Sequence, residues 1–379
     1  MIYNNALIFT PEGCFRRGGF AVENGRFTEL FTQSRPGGRD LRGARVLPGL
    51  IDLHIHGAAG ADFSDGSLRG LKDMAAYLAG RGITGFVPTS MSLPLDDLAA
   101  AFRTAAELRG APPEGCARVL GIHMEGPFLS RAKKGAHDAA YLRTPDAGTF
   151  RALNEGCGGL VRIVEAAPEL PGAAAFAREI AGECVVSAGH TDADYDTAAG
   201  MFDAGAAHLT HLFNAMTAFH HRAPGVIAAA SERENVTAEL ICDGLHVHPA
   251  AVRMAFRLFP GRICLVSDAL RCCGMPEGEY ESGGRRVVFR DGAVRLPDGT
   301  IAGAASDLYR DMLNAVRFGI PPEEAILSAT LRPARVLGAE KLVGSIAPGL
   351  AADFLVCGEE LELREVYLGG ERFPSPPEA

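Results

Sequence analysis

The sequence predicts an α/β protein: a (β/α)8, TIM-like barrel carrying a small β-sandwich domain built from both chain termini. Three observations carry that prediction. Apolar strand-like runs alternate with Ala-rich helical stretches over about 280 residues, the length of such a barrel. Both ends of the chain read instead as short strands joined by turns. Finally, His, Glu and Asp recur at the C-terminal ends of the strand-like runs, which is where barrels of this class assemble their sites.

At 379 residues and 47% hydrophobic, the chain can bury a large barrel core and a satellite domain. A net charge of −9 without a basic block argues against a nucleic-acid partner and leaves a small-molecule site. No apolar run is long enough for a bilayer span, so no membrane partner is expected. Met1–Asn5 has neither a basic nor an apolar leader pattern, so no signal peptide is expected. Nine cysteines, an odd number without a CxxC pair, suit a reduced cytoplasmic setting.

In order, the N-terminal strands are read at Ala6–Thr10, Gly19–Glu23 and Arg26–Phe31, with Asn24-Gly25 as a hairpin turn. The matching C-terminal strands are Asp353–Cys357 and Glu365–Leu368, after Pro348-Gly349. Residues 1–47 with 338–379 are therefore expected to form the small domain, and 48–337 the barrel. Barrel strands are expected at Ala44–His56, Gly85–Pro88, Arg118–Glu125, Val161–Glu165, Cys184–His190, Ala207–Leu212, Thr237–Asp243 and Arg262–Asp268. Helices are expected at Leu68–Arg81, Leu95–Arg109, Gly172–Gly182, Tyr195–Ala204 and Pro249–Phe259, with Ser306–Phe318 and Pro321–Leu331 closing the barrel. Gly274–Gly299 reads as an inserted hairpin.

On this scaffold His54 and His56 end strand one, Glu125 strand three, His190 strand five, His211 strand six and Asp268 strand eight, with Asp243 and His246 after strand seven. Charged and imidazole groups gathered on one barrel face need mutual partners or a metal. Imidazole and carboxylate without thiolate suit Zn²⁺, Fe²⁺, Mn²⁺ or Co²⁺. A metal-bound water would be acidified, and Asp268 is placed to take its proton and pass it to a leaving group. Asp52 shares the face of the histidine pair and is read as orienting a ligand. His123 is read as a supporting or core residue, and His208, His220, His221 and His248 as solvated, capping or packing residues.

These segments, PGLIDLHIHG, GIHMEGPFLSRAKKGAH, SAGHTDA, THLFNAM, HHRAPG, CDGLHVHP, LVSDAL and DGTIAGA, resemble the amidohydrolase superfamily, and within it the N-acetylglucosamine-6-phosphate deacetylases. The resemblance implies removal of the acetyl group from N-acetylglucosamine 6-phosphate, and a homodimer with substrate groups reaching across the interface. It assigns Glu125, His190 and His211 as the principal metal ligands. His54 and His56, with Asp268, become a second metal position, so one or two divalent ions are implied, Zn or Fe, with Mn or Co as alternatives. Asp268 becomes the catalytic acid/base and His137 the residue that polarises the acetyl carbonyl. Ala136, Asn214, Ala215, Asp243, His246, Ile301, Ala302 and Gly303 become substrate-lining residues, and Arg222 the anchor of the 6-phosphate. Two features depart from the pattern: the Arg271-Cys272-Cys273 run, and Asp307, which either alters substrate contacts or caps the following helix.

Overall fold

Gly49 separates the terminal sheet from the barrel. The sequence predicts one strand over Ala44–His56; the structure, a computed structural model describing residues 1–374, breaks it there. Arg45–Pro48 pairs with Phe354–Cys357 in the terminal sheet, and β1 (Leu50–Ile55) enters the barrel. A Cβ on Gly49 would lie 2.0 Å from Oγ1 of Thr84, so only glycine passes this point.

The barrel continues through β2 (Ile83–Ser90), β3 (Ile122–Phe128), β4 (Val161–Ala166), β5 (Val185–Ala188), β6 (His208–Leu209), β7 (Thr237–Ile241) and β8 (Ile263–Val266). Each strand pairs parallel with the next. A parallel bridge between Ile55 and Ala269, with Asp268 N donating to His54 O at 2.9 Å, closes β8 onto β1. The helices outside are α1 (Leu68–Gly80), α2 (Leu95–Gly110), α3 (Ala147–Gly156), α4 (Ala173–Ile180), α5 (Tyr195–Asp203), α6 (Gly225–Ser231), α7 (Pro249–Leu258) and α8 (Leu308–Arg317), then α9 (Pro322–Ala329) and α10 (Leu331–Val336). The helices α3, α6 and α10 are additions to the helices expected from the sequence.

Ile51, Leu53, Val87, Ile163, Ile241 and Val266 form one apolar cluster of the barrel strands. Leu71, Met74, Leu78, Leu98, Phe102, Phe176 and Ile180 belong to the larger core that the helices contribute to. The polar groups are thereby left to the strand ends, as apolar packing fills the rest.

The two termini form one eight-stranded sheet. It rolls on itself: Phe27 N donates to Leu350 O at 3.0 Å, and Ala352 N to Gly25 O at 2.8 Å, so the lead-in to Phe354 reaches the far edge. The enclosed face packs Tyr3 against Phe20 (4.9 Å between ring centroids) and Phe354 against Tyr367 (4.2 Å). The two layers of the expected sandwich are thus halves of one sheet. Of the expected small domain, residues 375–379 lie outside the described residues.

The inserted segment is larger than the expected hairpin. Gly278–Ser282, Arg285–Arg290, Ala293–Arg295 and Ile301–Ala304 form a four-stranded antiparallel sheet. Its last strand is tied to the barrel, since Leu270 N donates to Ala304 O and Ala304 N to Asp268 O, at 2.9 and 2.8 Å. Asp307 caps α8, accepting from Arg310 N at 2.9 Å, and pairs with Arg81, which settles its role as structural. Among the described residues no helix is long and apolar enough to cross a membrane.

Candidate active site and metal centre

The strands stop short of the groups they present. The sequence predicts strands five, six and eight running through His190, His211 and Asp268; they end at Ala188, Leu209 and Val266. The three residues beyond adopt positive φ, 41°, 25° and 49°. Such backbone costs about 1–3 kcal/mol per residue and persists only where surroundings fix it. They do so here. His190 O accepts from Ser130 N, His211 N donates to Glu239, and Asp268 is bonded on both sides to His54 and Ala304.

The imidazoles converge on Glu125. Its Oε1 lies 3.2 Å from His190 Nε2, 3.1 Å from His211 Nε2 and 3.5 Å from His54 Nε2. Its Oε2 lies 3.2 Å from His56 Nε2, which is itself 3.2 Å from Asp268 Oδ1. His54 and His56 present their Nε2 atoms 3.3 Å apart, and His190 and His211 theirs 3.2 Å apart.

The outer nitrogens decide what these rings present. His54 Nδ1 donates to Glu239 (2.9 Å), His56 Nδ1 to Thr89 O (3.1 Å) and His190 Nδ1 to Lys133 O (2.7 Å). With the proton on Nδ1, each neutral ring turns an Nε2 lone pair towards the Glu125 and Asp268 carboxylates. Lone pairs facing carboxylates require a cation between them. The spacing fits one: ligands about 2.0–2.1 Å from a tetrahedral ion stand about 3.4 Å apart. Glu125 belongs to both halves of the cage, with His54 and His56 on one side and His190 and His211 on the other.

His137 has the opposite polarity. Its Nδ1 accepts from the backbone N–H of Ser92 at 3.0 Å, leaving the proton on Nε2, 3.2 Å from Glu125 Oε2. It enters the site as a donor. Burial, partly opposed by Glu125, lowers its pKa to about 4, so the ring is neutral at pH 7. His56 differs: burial works against its imidazolium, but Glu125 and Asp268 prevail and raise it to about 10. Glu125, despite burial, is held well below the usual carboxylate range by His54, His137 and His56. Asp268 is lowered too, its burial outweighed by the His56 bond and neighbouring imidazoles. The cage thus demands positive charge, from protons or from a divalent ion.

The cage floors a cavity of about 300 Å³. Ala136, His137, Asn214, Ala215, His246, Ile301, Ala302 and Gly303 line it with the cage residues other than the fully buried His54, and Met91, Gly135 and Thr300 complete the wall. Two expected substrate residues lie elsewhere. Asp243 is outside the lining and orients His246, with Oδ2 2.7 Å from His246 Nδ1. Arg222 is exposed on the segment after Met216, its Nη1 2.8 Å from His221 Nε2, and is not among the residues lining this chain's own cavity. Asp52, as expected, acts through others: it accepts from Ser267 Oγ (2.6 Å) and the backbone N–H groups of Ser267 and His54, pinning β1 to β8. His123 is a core residue whose ring centroid lies 4.7 Å from that of His54, and His248 caps α7.

Sequence reasoning missed Glu239, Ser92 and Glu165. Glu239 is fully buried and bonds His54, His208 and the His211 backbone, holding both halves of the cage. Its signal was present: a carboxylate inside the apolar run Thr-Ala-Glu-Leu-Ile of a barrel strand needs a buried partner.

Residues 45–372 match the Amidohydrolase family model. An N-acetylglucosamine-6-phosphate deacetylase of Bacillus subtilis (strain 168) is 33% identical, covering 96% of this chain and 94% of its own. An N-acetylgalactosamine-6-phosphate deacetylase of Escherichia coli O157:H7 is 36% identical over 87% of this chain and 88% of its own. The crystal structure of N-acetyl-D-glucosamine-6-phosphate deacetylase from Mycobacterium smegmatis superposes with a TM-score of 0.92 at 32% identity, covering 99% of this chain and 100% of that one. A variant of that enzyme in complex with N-acetyl-D-glucosamine-6-phosphate gives a TM-score of 0.91, also at 32% identity, covering 98% of this chain and 99% of that one. Match over nearly the whole length, in sequence and in fold, makes this chain a member of the amidohydrolase family.

Proposed function

We propose that the protein is a metal-dependent hydrolase that removes the acetyl group from N-acetylglucosamine 6-phosphate, giving glucosamine 6-phosphate and acetate. One observation carries the reading: four imidazoles and Asp268 surround Glu125 as a cation cage, and a fifth imidazole, His137, enters as a neutral donor. Metal-assisted amide hydrolysis uses that combination. The cavity of about 300 Å³ lies at the lower end of small-ligand sites, which span about 300–1,000 Å³. Relatives named for this reaction support the substrate.

A divalent ion held by Glu125, His190 and His211, with a second at His54, His56 and Asp268, would supply an acidified water and polarise the acetyl carbonyl. We assign Zn or Fe, in one or two ions per chain. His137 Nε2–H donates to the carbonyl oxygen as negative charge grows there. Asp268 takes the proton of the attacking water and delivers it to the amine nitrogen as the C–N bond breaks. Asp243 holds the His246 ring towards the sugar, and Asn214, Ala215 and Ile301–Gly303 line its path.

Among the described residues no Arg or Lys lines the cavity, so within one chain His246 is the basic group left for the phosphate beyond the cage and His137. We propose a homodimer in which Arg222 serves the partner's cavity. Phe219 and Leu245, 57% and 47% exposed beside Arg222 and His246, supply an apolar rim for that contact. A cytoplasmic location and a small domain of 1–47 with 338–379 complete the proposal.

The test is acetate release from N-acetylated glucosamine, galactosamine and mannosamine 6-phosphates and their unphosphorylated forms, with metal content measured on the same sample. The gluco 6-phosphate should turn over fastest. Preference for the galacto epimer would move the substrate to N-acetylgalactosamine 6-phosphate, the one named for the 36% identical relative. Turnover of no member would remove the proposal.

A further inference from the structure

Three of the four cage histidines have their outer nitrogen bonded directly to a protein acceptor. His211 does not: among the described residues its buried Nδ1 meets no protein acceptor. Glu165, at the end of β4, is fully buried, and among the described residues neither of its oxygens meets a protein donor. A donor lacking a protein acceptor and an acceptor lacking a protein donor therefore sit in the same buried region. An oxygen of Glu165 and an imidazole nitrogen of His211 lie within 4.8 Å of each other. Two groups bonded to one shared water, at about 2.8 Å each and a tetrahedral angle, stand about 4.6 Å apart.

The backbone leaves the carboxylate its place. Gly189 precedes His190, and a Cβ there would lie 2.4 Å from Glu165 Oε1 and 2.9 Å from Thr210 Cβ. The glycine of Ser-Ala-Gly-His thus makes way for Glu165 beneath the cage. A buried carboxylate is costly unless it is bonded or protonated. A role in the cage accounts for it.

We propose that Glu165 is the positioning residue of His211, holding its Nδ1–H through one internal water. It fixes the ring so that Nε2 faces Glu125, as Glu239 does directly for His54. Outer partners of this kind orient a ligand and raise its basicity, and their loss costs about 10–100-fold in metal affinity. The proposal rests on the metal reading of the site.

The experiment measures Zn²⁺ affinity by competition with a chromophoric chelator, in wild type, Glu165→Gln and Glu165→Leu. Glu165→Leu should weaken the tighter site about 10–100-fold, while Glu165→Gln, which keeps an acceptor oxygen, stays within about threefold. Thermal unfolding of the metal-free proteins separates this from structural damage: Glu165→Leu removes an unpaired buried carboxylate and should melt no lower than wild type. If Glu165→Leu does not fold, the Glu165→Ala variant replaces it with the same expected loss. Wild-type affinity in Glu165→Leu would overturn the proposal. So would an equal loss in Glu165→Gln, because that marks direct ligation rather than a bridged bond. Wild type that binds no Zn²⁺ would overturn the metal reading itself.

Discussion

His56 and His137 approach the same oxygen, Glu125 Oε2, at the same 3.2 Å, yet they do opposite work. The difference lies on their far sides. His56 Nδ1 meets the carbonyl of Thr89, which accepts, so Nε2 offers a lone pair. His137 Nδ1 meets the N–H of Ser92, which donates, so Nε2 offers a proton. Thr89 and Ser92 are three residues apart at the end of β2. One short stretch of backbone thus sorts two like side chains into a ligand and an oxyanion donor. A contact distance alone would have made them equivalent; the direction of the outer hydrogen bond separates them.

Breaking the proton path is the most severe test. Asp268→Asn keeps the shape and should lower kcat for acetate release by about 10²–10⁴, with the Glu125–His190–His211 position still filled. Next comes the ligand side of the comparison. His54→Gln combined with His56→Asn should lose one metal equivalent by elemental analysis while the other position stays occupied; unchanged metal content would mean the pair orients substrate or water only.

A gentler probe is pH. In the metal-free protein His56 is raised to about 10 from 6.5. A raised histidine stabilises the fold fully below its unfolded value, and that contribution fades as pH climbs through the folded one. Metal-free protein should therefore melt progressively lower between pH 6.5 and 10, and metal binding should tighten over the same window with release of about one proton per ion. Calorimetry in buffers of different ionisation heat reads that proton, and its absence would contradict the cage as drawn. The smallest effect belongs to Ser92→Ala. It removes the hydroxyl, 2.9 Å from His137 Nδ1, but keeps the backbone N–H. Activity should stay within about tenfold, the worth of one neutral hydrogen bond.

The barrel and most of the cage were legible in the sequence because periodicity and strand-end residues report on faces and ends. His54, His56, Glu125, His190, His211 and Asp268 were all placed by that logic, and the structure brings them together. Two kinds of feature were not legible. The sequence of β7 signals that Glu239 needs a buried partner, but the partners of Glu239 and Glu165 are set by which strands adjoin, a property of closure rather than of local pattern. The position of Arg222 was not legible for a related reason: a motif gives a residue type, whereas the course of the chain after Met216 decides where its guanidinium ends, here outside this chain's own cavity. The tautomer of His137 depends on a backbone N–H 45 positions away, which no side-chain motif records.

The most direct test of the account is the metal content of His137→Gln, measured with its acetate release. The tautomer assignment predicts metal content equal to wild type and kcat lower by about 10²–10³, the cost of one oxyanion donor. Loss of a metal equivalent in that variant would make His137 a ligand and contradict the division of labour between it and His56.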